Sequence, residues 1–247
     1  MTELRYGERI DDLQRNGCRI IQNPALFCFG MDAVLLASFA EQGKGTARRT
    51  LDLCSGNGVV PILMDARSNG ESGTYTGLEI NPVNVDMASR SAQLNGQQER
   101  IHFIEGDVRE CSSFIAAASC DAVTVNPPYM IGGHGIVSDD SARMIARHEI
   151  LCTLDDVIGA SARVLKPFGR LFMVHRPFRL ADIFRSLNEH ALEPKRMRMV
   201  YPFADKEANM VLIEAVRGGK SRMAVEAPLV IYQRDGVYTD EVRRLYG

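Results

Sequence analysis

The sequence lacks the long apolar run that a membrane-spanning helix requires. No stretch approaches the roughly 20 consecutive apolar residues that cross a bilayer. The opening MTELRYGERIDDLQ also lacks the basic and then apolar order of a signal peptide. These absences argue against a membrane protein or a secreted protein, so we expect a cytoplasmic protein with no membrane partner.

Cysteine is present, but without the spacing that metal sites use. The sequence contains no CxxC pair, and most of its six cysteines lie among apolar residues, at positions 18, 28, 54, 111, 120 and 152. Zinc sites and disulfide frameworks depend on recognisable cysteine spacing. We therefore expect reduced core thiols, with neither disulfides nor a bound metal.

The length and composition are typical of one large globular domain. The chain has 247 residues, of which 45% are hydrophobic and 24% are charged. We predict a single domain over residues 1–247 and favour a monomer. Within it we expect a hairpin and helix in 1–45, a core in 46–217 and a C-terminal tail in 218–247.

The charge is unevenly distributed. The net charge is −2, yet the segment from Arg163 to Arg198 contains nine basic and three acidic residues. A local basic surface on an acidic body suits a polyanionic partner, because phosphate contacts need local positive potential. Solvated helix faces explain the same pattern about equally well.

Short β-rich runs alternate with segments of helical length and composition. The runs lie at 50–54, 74–80, 100–106, 121–126 and 169–175, and RMRMVYPFADKEANMVLIEAV adds two strands joined by a short turn. Such alternation predicts right-handed βαβ units. We therefore predict an α/β fold with a Rossmann-like, doubly wound, seven-stranded and mostly parallel sheet that carries an antiparallel edge pair.

Both ends of the chain predict additional small elements. The Asn16-Gly17 pair lies between short strand-like runs and predicts a small N-terminal hairpin. Asp32 precedes AVLLASFAEQ and can cap that helix. The tail PLVIYQRDGVYTDEVRRLYG predicts a short strand, a turn and a final helix.

Two motifs indicate a ligand site at the carboxyl ends of the strands, where open α/β sheets bind ligands. In LDLCSGNGVV, Gly56 and Gly58 follow a strand and let the backbone approach a ligand closely, although an ordinary tight turn explains them about equally well. Glu79 ends the next strand, roughly 20 residues later, where a carboxylate can accept both hydroxyls of a ribose.

A third acidic position extends this series. Asp107 closes the following strand, where it can accept a hydrogen bond from an adenine amino group. A lone aspartate at a strand end is more often a helix cap. Only its place in the series favours a binding role.

The stretch DAVTVNPPYM ends a buried strand with an unusual group of residues. Two prolines hold the backbone extended. In that shape the Asn126 amide oxygen and the Pro127 carbonyl oxygen can both accept hydrogen bonds from a planar NH2 group, while the Tyr129 ring stacks on the attached π-system. A simple turn explains the prolines but not the asparagine and tyrosine together.

The series LDLCSGNG, Glu79, Asp107 and NPPY resembles the class I S-adenosylmethionine-dependent methyltransferases that act on exocyclic or amide nitrogens. The flanks FGMDAVLLASFA, ARHE with TLDD, and PFADKEANMVLIEAVRGGK resemble the bacterial tRNA(Val) adenine-N6 methyltransferase family. Members of that family modify the adenine immediately 3′ of the anticodon. The late segment and the tail resemble a branch labelled only "methyltransferase small domain".

The resemblance implies S-adenosylmethionine as cofactor, S-adenosylhomocysteine as product and tRNA as partner. The implied catalytic residues are Asn126, Pro127, Pro128 and Tyr129. The implied cofactor-binding residues are Met31, Asp32, Asp52, Cys54, Gly56, Asn57, Gly58, Glu79, Ile80, Asp107, Val108 and Asn126. The substrate candidates are Arg143, Arg147, His148, Lys195, Arg196 and Arg198. The glycine-rich segment 130–140 is a candidate lid, and His134 and His148 are equally well explained as ordinary surface histidines.

Other acceptors stay open on the same chemistry. Release-factor methyltransferases also use NPPY, on a glutamine amide, and guanine-N2 of rRNA or adenine of DNA presents a similar planar NH2. A cofactor-binding scaffold that does not catalyse is the alternative from a different class. The basic excess and the flanking segments favour RNA.

Overall fold

The computed structural model of the chain describes residues 3–26, 28–41, 49–68, 73–127 and 152–246. In these ranges every helix is too short or too polar to span a bilayer. All six cysteines fall within the described residues, and each is a free thiol.

A small antiparallel hairpin opens the fold. It consists of β1 (Arg9–Asp12) and β2 (Arg19–Gln22). Asn16 and Gly17 in its turn both adopt left-handed backbone conformations, with φ of 50° and 67°. Asparagine and glycine tolerate this conformation better than other residues. The predicted hairpin is confirmed.

Seven strands form the central sheet. They are β3 (Arg49–Leu53), β4 (Thr74–Glu79), β5 (Ile101–Glu105), β6 (Cys120–Val125), β7 (Leu165–His175), β8 (Leu192–Tyr201) and β9 (Met210–Arg217). Their order is β8-β9-β7-β6-β3-β4-β5. The strands from β3 to β7 are parallel, and β9 runs antiparallel to both β7 and β8. The predicted α/β sheet with its antiparallel edge pair is confirmed.

Two short strands of the tail enlarge this sheet to nine strands. They are β10 (Ala224–Val225) and β11 (Leu229–Val230), and both pair in parallel with β8. The hydrophobic pattern indicates a short strand in the tail but not its partner. Two-residue strands are too short for any periodicity to show which neighbour they join.

Helices cover both faces of the sheet. They are α1 (Met31–Glu41), α2 (Val59–Arg67), α3 (Pro82–Leu94), α4 (Cys111–Phe114), α5 (Leu154–Val164) and α6 (Leu180–Glu189). The first three pack with one apolar cluster and the last three with another. Alternate residues of β7 supply both clusters, with Phe172 on one face and Met173 on the other. The sheet is therefore doubly wound, as predicted.

Helix α1 begins earlier than the sequence pattern indicates. It starts at Met31, so Asp32 lies in its first turn and does not precede the helix. The Asp32 carboxylate is buried and accepts a hydrogen bond from the Ala33 N–H at 2.9 Å. An acidic side chain in this first turn still favours the helix through its dipole.

The C-terminal tail packs on α1. It contains β12 (Tyr232–Arg234), β13 (Val237–Tyr238) and α7 (Asp240–Tyr246). Three of its rings form a tyrosine stack (Tyr232, Tyr238 and Tyr246), with centroid separations of 5.2 and 5.8 Å. At the end of the stack the Tyr246 hydroxyl donates to Met31 Sδ at 3.3 Å. The tail is thus part of the packed fold on the α1 side of the sheet.

Two arginines of the basic segment hold the sheet edge together. Arg196 on β8 pairs with the buried Glu214 on β9 at 2.7 Å, and its guanidinium group lies 3.8 Å from the centroid of the Phe39 ring. Arg198 pairs with Glu241 of α7 at 2.7 Å. Both arginine side chains are only 14% exposed. Both guanidinium groups thus make contacts within the fold, and the RNA contacts predicted for them stay predictions.

Replacing Arg196 with alanine should therefore lower the free energy of unfolding by about 2 to 3 kcal/mol, because it leaves a buried carboxylate short of a partner. Lys195→Ala, at the adjacent position of the same strand, is the control and should change it by at most about 0.5 kcal/mol. Urea denaturation of both variants tests this. Equal losses in the two variants would contradict a structural role specific to Arg196.

Candidate functional site

The candidate site lies where the strand order reverses. The chain builds β3, β4 and β5 toward one edge and then places β6 on the other side of β3. Ligands bind at the carboxyl ends of strands beside such a switch point. The glycine loop (residues 54–58) and Asn126 directly follow the ends of β3 and β6, and Glu79 is the last residue of β4. Residues from three distant parts of the sequence therefore meet at one edge of the sheet.

The glycine loop turns through three left-handed residues, Cys54, Gly56 and Gly58, with φ of 56°, 55° and 82°. A Cβ atom added to Gly58 would lie 2.4 Å from the Phe103 ring and 2.9 Å from Ala88 Cβ. A Cβ atom on Gly56 would meet nothing within 4 Å. Gly58 is thus required for close packing within the protein, whereas Gly56 leaves its surroundings open to a ligand.

Glu79 is held by the backbone on both sides. One carboxylate oxygen accepts from the Gly56 N–H and the other from the Asn81 N–H, each at 2.9 Å. The side chain is buried, and Ile80 follows it at the end of the strand. Because each carboxylate oxygen can accept more than one hydrogen bond, the group is fixed in place and can still accept the hydroxyls of a ribose.

Asp52 joins the two strands that meet at the switch point. Its carboxylate accepts from the Thr124 hydroxyl on β6 at 2.6 Å and from the Ser55 hydroxyl at 2.7 Å. Burial raises the pKa of Asp52 to about 7, against the lowering effect of the two hydroxyls and with a further contribution from the negative charge of Glu79. Both oxygens are thus used within the protein. Asp52 therefore links β3, β6 and the glycine loop, and its predicted contact with the cofactor stays a prediction.

Asp107 is a cap, which is one of the two roles predicted for it. It precedes a short 3-10 turn (Val108–Glu110), and its carboxylate accepts from the Arg109 N–H at 2.9 Å, which makes it a cap. It also pairs with the Arg109 guanidinium group, which lowers the pKa of the carboxyl group. Val108 beside it is buried. The side chain of Asp107 is partly exposed at the edge of the site, and its contact with adenine stays a prediction.

A glutamine that the sequence analysis missed connects the glycine loop to α1. Gln22, at the end of β2, is buried, and its amide oxygen accepts from the Phe29 N–H at 3.0 Å and from the Asn57 side chain at 3.2 Å. Its amide nitrogen donates to Asp11 at 2.5 Å. These contacts fix the segment that precedes Met31 relative to the glycine loop. The only signal in the sequence is a polar residue that ends the apolar strand RIIQ.

Cys54 of the glycine loop lies against a second thiol. Its sulfur and that of Cys152 are hydrogen bonded, and the hydrogen bond and burial together raise the pKa of Cys54. The thiol is therefore protonated at neutral pH. Cys54 thus packs toward the α5 side of the sheet, together with Cys152.

The carboxyl end of β7 carries a buried histidine, His175. Val125, the last residue of β6, pairs with Met173 of β7. His175 ends β7 two residues after Met173, and Asn126 follows the end of β6. Because β6 and β7 are neighbouring parallel strands, His175 and the start of NPPY lie at the same edge of the sheet.

His175 is uncharged at physiological pH. Its Nδ1 accepts a hydrogen bond from the Arg176 N–H at 2.8 Å, so the proton of the neutral ring is on Nε2. Burial and the nearby positive charge of Arg179 lower its pKa to about 4. The sequence analysis predicted the strand GRLFMVH but gave its last residue no role. A histidine at the carboxyl end of a strand beside the switch point is the signal that was available.

Several predicted site residues lie outside the described residues. Asn126 and Pro127 are described, whereas the remainder of NPPY and the residues after it are not: Pro128, Tyr129, the segment 130–140 with His134, Arg143, Arg147 and His148. Lys195 is described and lies on β8, which β9 and β7 separate from β6. Its ammonium group donates to the Lys220 carbonyl oxygen at 2.6 Å. The roles of all these residues stay predictions.

Comparison with known proteins gives a consistent result. The methyltransferase small domain family model matches residues 18–193. A tRNA1(Val) (adenine(37)-N6)-methyltransferase from Aeromonas hydrophila is 29% identical over 217 residues, which cover 87% of each chain. A protein of the same name from Porphyromonas gingivalis is 27% identical over 240 residues, which cover 95% of this chain and 90% of that relative. The crystal structure of a predicted O-methyltransferase from Agrobacterium tumefaciens aligns with a TM-score of 0.70 and 23% identity, covering 87% of this chain and 95% of that chain.

The chain belongs to the methyltransferase small domain family, since the family model matches most of its length. It is an S-adenosylmethionine-dependent methyltransferase, and the cofactor predicted from the sequence is confirmed. The Agrobacterium structure, at 23% identity, supports the fold alone.

The two loop glycines should differ when each is replaced by alanine. Gly56→Ala should lower stability by only about 1 kcal/mol, because its Cβ meets no protein atom, but should weaken S-adenosylhomocysteine binding by about tenfold or more, equivalent to about 1.4 kcal/mol. Gly58→Ala should lower stability by about 2 kcal/mol or more, because its Cβ overlaps Phe103. Denaturation curves and calorimetric titration measure the two effects. Similar stability losses in both variants would contradict this division.

The stability of the free protein should report the protonation of Asp52. The folded protein keeps this proton up to a pH of about 7, whereas the ordinary value for the unfolded chain is 3.8. The folded state therefore binds more protons between these values, and its free energy of unfolding should fall as the pH rises from about 4 to about 7. Asp52→Asn cannot titrate here, so the difference between its pH curve and that of the wild type isolates this contribution. Parallel curves would show that Asp52 is already ionised at low pH.

Proposed function

We propose that this chain methylates N6 of adenine in tRNA, at position 37, as the names of its relatives describe for those proteins. The observation that carries this proposal is the position of Asn126 and Pro127. They directly follow β6, at the same sheet edge as the glycine loop and Glu79. An acceptor for a planar NH2 group therefore adjoins the cofactor residues.

The residues around the glycine loop fit S-adenosylmethionine. Gly56 leaves open space where the backbone would meet the cofactor, and Glu79 is oriented by two backbone N–H groups to accept its ribose hydroxyls. Asp107 lies at the next strand end, where we propose that it contacts the adenine. When bound, the cofactor supplies an electrophilic methyl group, so that the protein contributes mainly orientation and exclusion of water.

On the acceptor side, the protein must make a weak nucleophile react. The lone pair of an aromatic amine is delocalised into the ring. The Asn126 amide oxygen and the Pro127 carbonyl oxygen would accept hydrogen bonds from the two N–H groups of the amine. They would thereby stabilise the positive charge that develops on its nitrogen. Tyr129 would stack on the base, a contact generally worth about 1 to 3 kcal/mol. No strongly basic residue is required before transfer, and His175 is neutral in this position.

The nature of the polymer rests on the relatives. Several are named as tRNA methyltransferases, and the two compared above match 87% and 95% of this chain. An anticodon-loop base is unpaired, so moving it into a site requires little unstacking. We infer that tRNA is the substrate and that the enzyme acts in the cytoplasm.

Methyl transfer to competing acceptors tests the proposal directly. Purified protein and labelled S-adenosylmethionine are incubated in parallel with unmodified tRNA, rRNA, duplex DNA and a release factor, and the products are identified by nucleoside or peptide mass spectrometry. N6-methyladenosine in tRNA is the expected product. Label found only in the release factor would replace this proposal with glutamine methylation.

Asn126→Ala should lower methyl transfer by about a hundredfold or more, as loss of a transition-state hydrogen-bonding group commonly does. Its affinity for S-adenosylhomocysteine should stay within a few fold, because the amide is proposed to act on the acceptor. Asn188→Ala, an exposed asparagine on α6, is the matched control and should keep full activity. Loss of cofactor affinity in Asn126→Ala would move this residue to the cofactor side.

A further inference from the structure

The turn that follows β7, with the sequence HRPFR (His175–Arg179, the HRPFR turn), is anchored at both ends. His175 is buried and accepts from the Arg176 N–H, and the Arg179 N–H donates to the Arg176 carbonyl oxygen at 3.1 Å. Pro177 begins the 3-10 turn, and its ring fixes φ there. The turn therefore has a defined shape before any partner binds.

The side chains of the two arginines secure the turn further. Arg176 donates to the Asn209 carbonyl oxygen at 2.9 Å, next to the start of β9. Arg179 donates through Nε to Asp182 of α6 at 3.0 Å. These contacts tie the turn to the elements on both sides of it. A surface fixed in this way loses little conformational entropy when it binds.

The HRPFR turn lies at the edge of the sheet that carries the proposed acceptor site. His175 is the last residue of β7, and Asn126 and Pro127 follow the carboxyl end of β6, the parallel strand next to it. The turn begins at this point and runs outward to α6. A substrate bound at Asn126 and Pro127 that extends across this edge would meet the turn next.

Phe178 projects from this rigid turn into solvent. It is 66% exposed, whereas the strand before it is buried over its last five residues. A single exposed aromatic residue is not unusual on a protein surface. Phe178 differs from such residues because it is rigidly presented, lies beside the site and has an arginine on each side in the sequence.

The charge around Phe178 suits a nucleic acid. From residue 175 to residue 185 the sequence has three arginines, Arg176, Arg179 and Arg185, and one acidic residue, Asp182, which pairs with Arg179 and Arg185. His175 is neutral. An aromatic ring between arginines matches a single-stranded loop, in which bases stack on rings and phosphates pair with guanidinium groups. An apolar partner would gain nothing from the arginines.

We propose that the HRPFR turn is an RNA-docking element of this enzyme. Phe178 stacks on a loop nucleotide near the target base, and Arg176 and Arg179 contact the adjoining phosphates. This proposal rests on tRNA methylation as the proposed function and names a surface on which that substrate binds. It places phosphate contacts at the carboxyl end of β7, apart from Arg196 and Arg198 on β8.

Binding of a fluorescently labelled, unmodified tRNA(Val) anticodon stem-loop to the full-length protein tests the proposal. Phe178→Ala should weaken binding by about 5-fold to 100-fold, the range for loss of one base stack, and raise KM for tRNA with a smaller effect on kcat. Phe178→Trp should restore affinity, because it restores the aromatic face. Arg176→Ala should reduce the slope of log Kd against log salt by about 0.7, the value for one phosphate of a single strand.

The opposite end of β7 supplies matched controls. Phe168 is 72% exposed and Lys166 is 44% exposed on its side chain, and both lie at the amino end of the strand, away from the site. Phe168→Ala and Lys166→Ala should leave RNA affinity and its salt dependence unchanged. S-adenosylhomocysteine should raise the thermal unfolding temperature of all variants equally, which separates RNA binding from cofactor binding.

The outcomes separate this proposal from the proposed function. If the wild type methylates tRNA but Phe178→Ala binds the stem-loop as tightly as the wild type, the docking role is wrong and the function stands. If the wild type methylates no RNA, the proposed function itself fails. If Phe178→Ala instead raises KM for a protein acceptor that the wild type methylates, the turn docks protein, and the RNA proposal is overturned.

Discussion

The site depends on the pairing of β3 with β6, which joins the two halves of the sheet. One buried carboxyl group reinforces this pairing, because Asp52 on β3 accepts hydrogen bonds from Thr124 on β6 and from Ser55 in the glycine loop. Burial of a carboxylate is unfavourable and raises its pKa. The two hydroxyls offset part of that penalty and fix the glycine loop relative to β6, the strand that Asn126 follows. The separation between the glycine loop and Asn126 is thus set by the sheet itself.

Buried polar side chains at the strand ends also fix the segments that surround the site. Gln22 holds the glycine loop against the segment before α1, and His175 holds the turn after β7. Each hydrogen bonds to backbone N–H groups, which are themselves fixed by the fold. The elements around the site are therefore connected by short, satisfied polar contacts, which rigidify a core when every member has a partner. Such preorganisation is what a reaction governed by positioning requires.

The positions of the strands along the chain can be predicted from the sequence, because parallel strands are buried on both faces and form short apolar runs. The position of the site motifs can be predicted as well, since the carboxyl ends of parallel strands lie at one edge of the sheet. The sequence does not show which side chains pair when they lie far apart along the chain. Arg196 pairs with Glu214 across 18 residues and Gln22 with Asn57 across 35. A basic residue in a sequence shows its charge but not whether a carboxylate inside the fold pairs with it, as Glu214 does with Arg196.

The tyrosine stack has a consequence for how the protein acquires its structure. Its last ring, Tyr246, touches Met31 across 215 residues of chain. Contacts of such long sequence separation form late, because loop closure must precede them. During synthesis, therefore, α1 is made before α7 and lacks the contact with Tyr246 until α7 has been made. The order of translation thus places completion of the α1 side of the fold after the synthesis of α7.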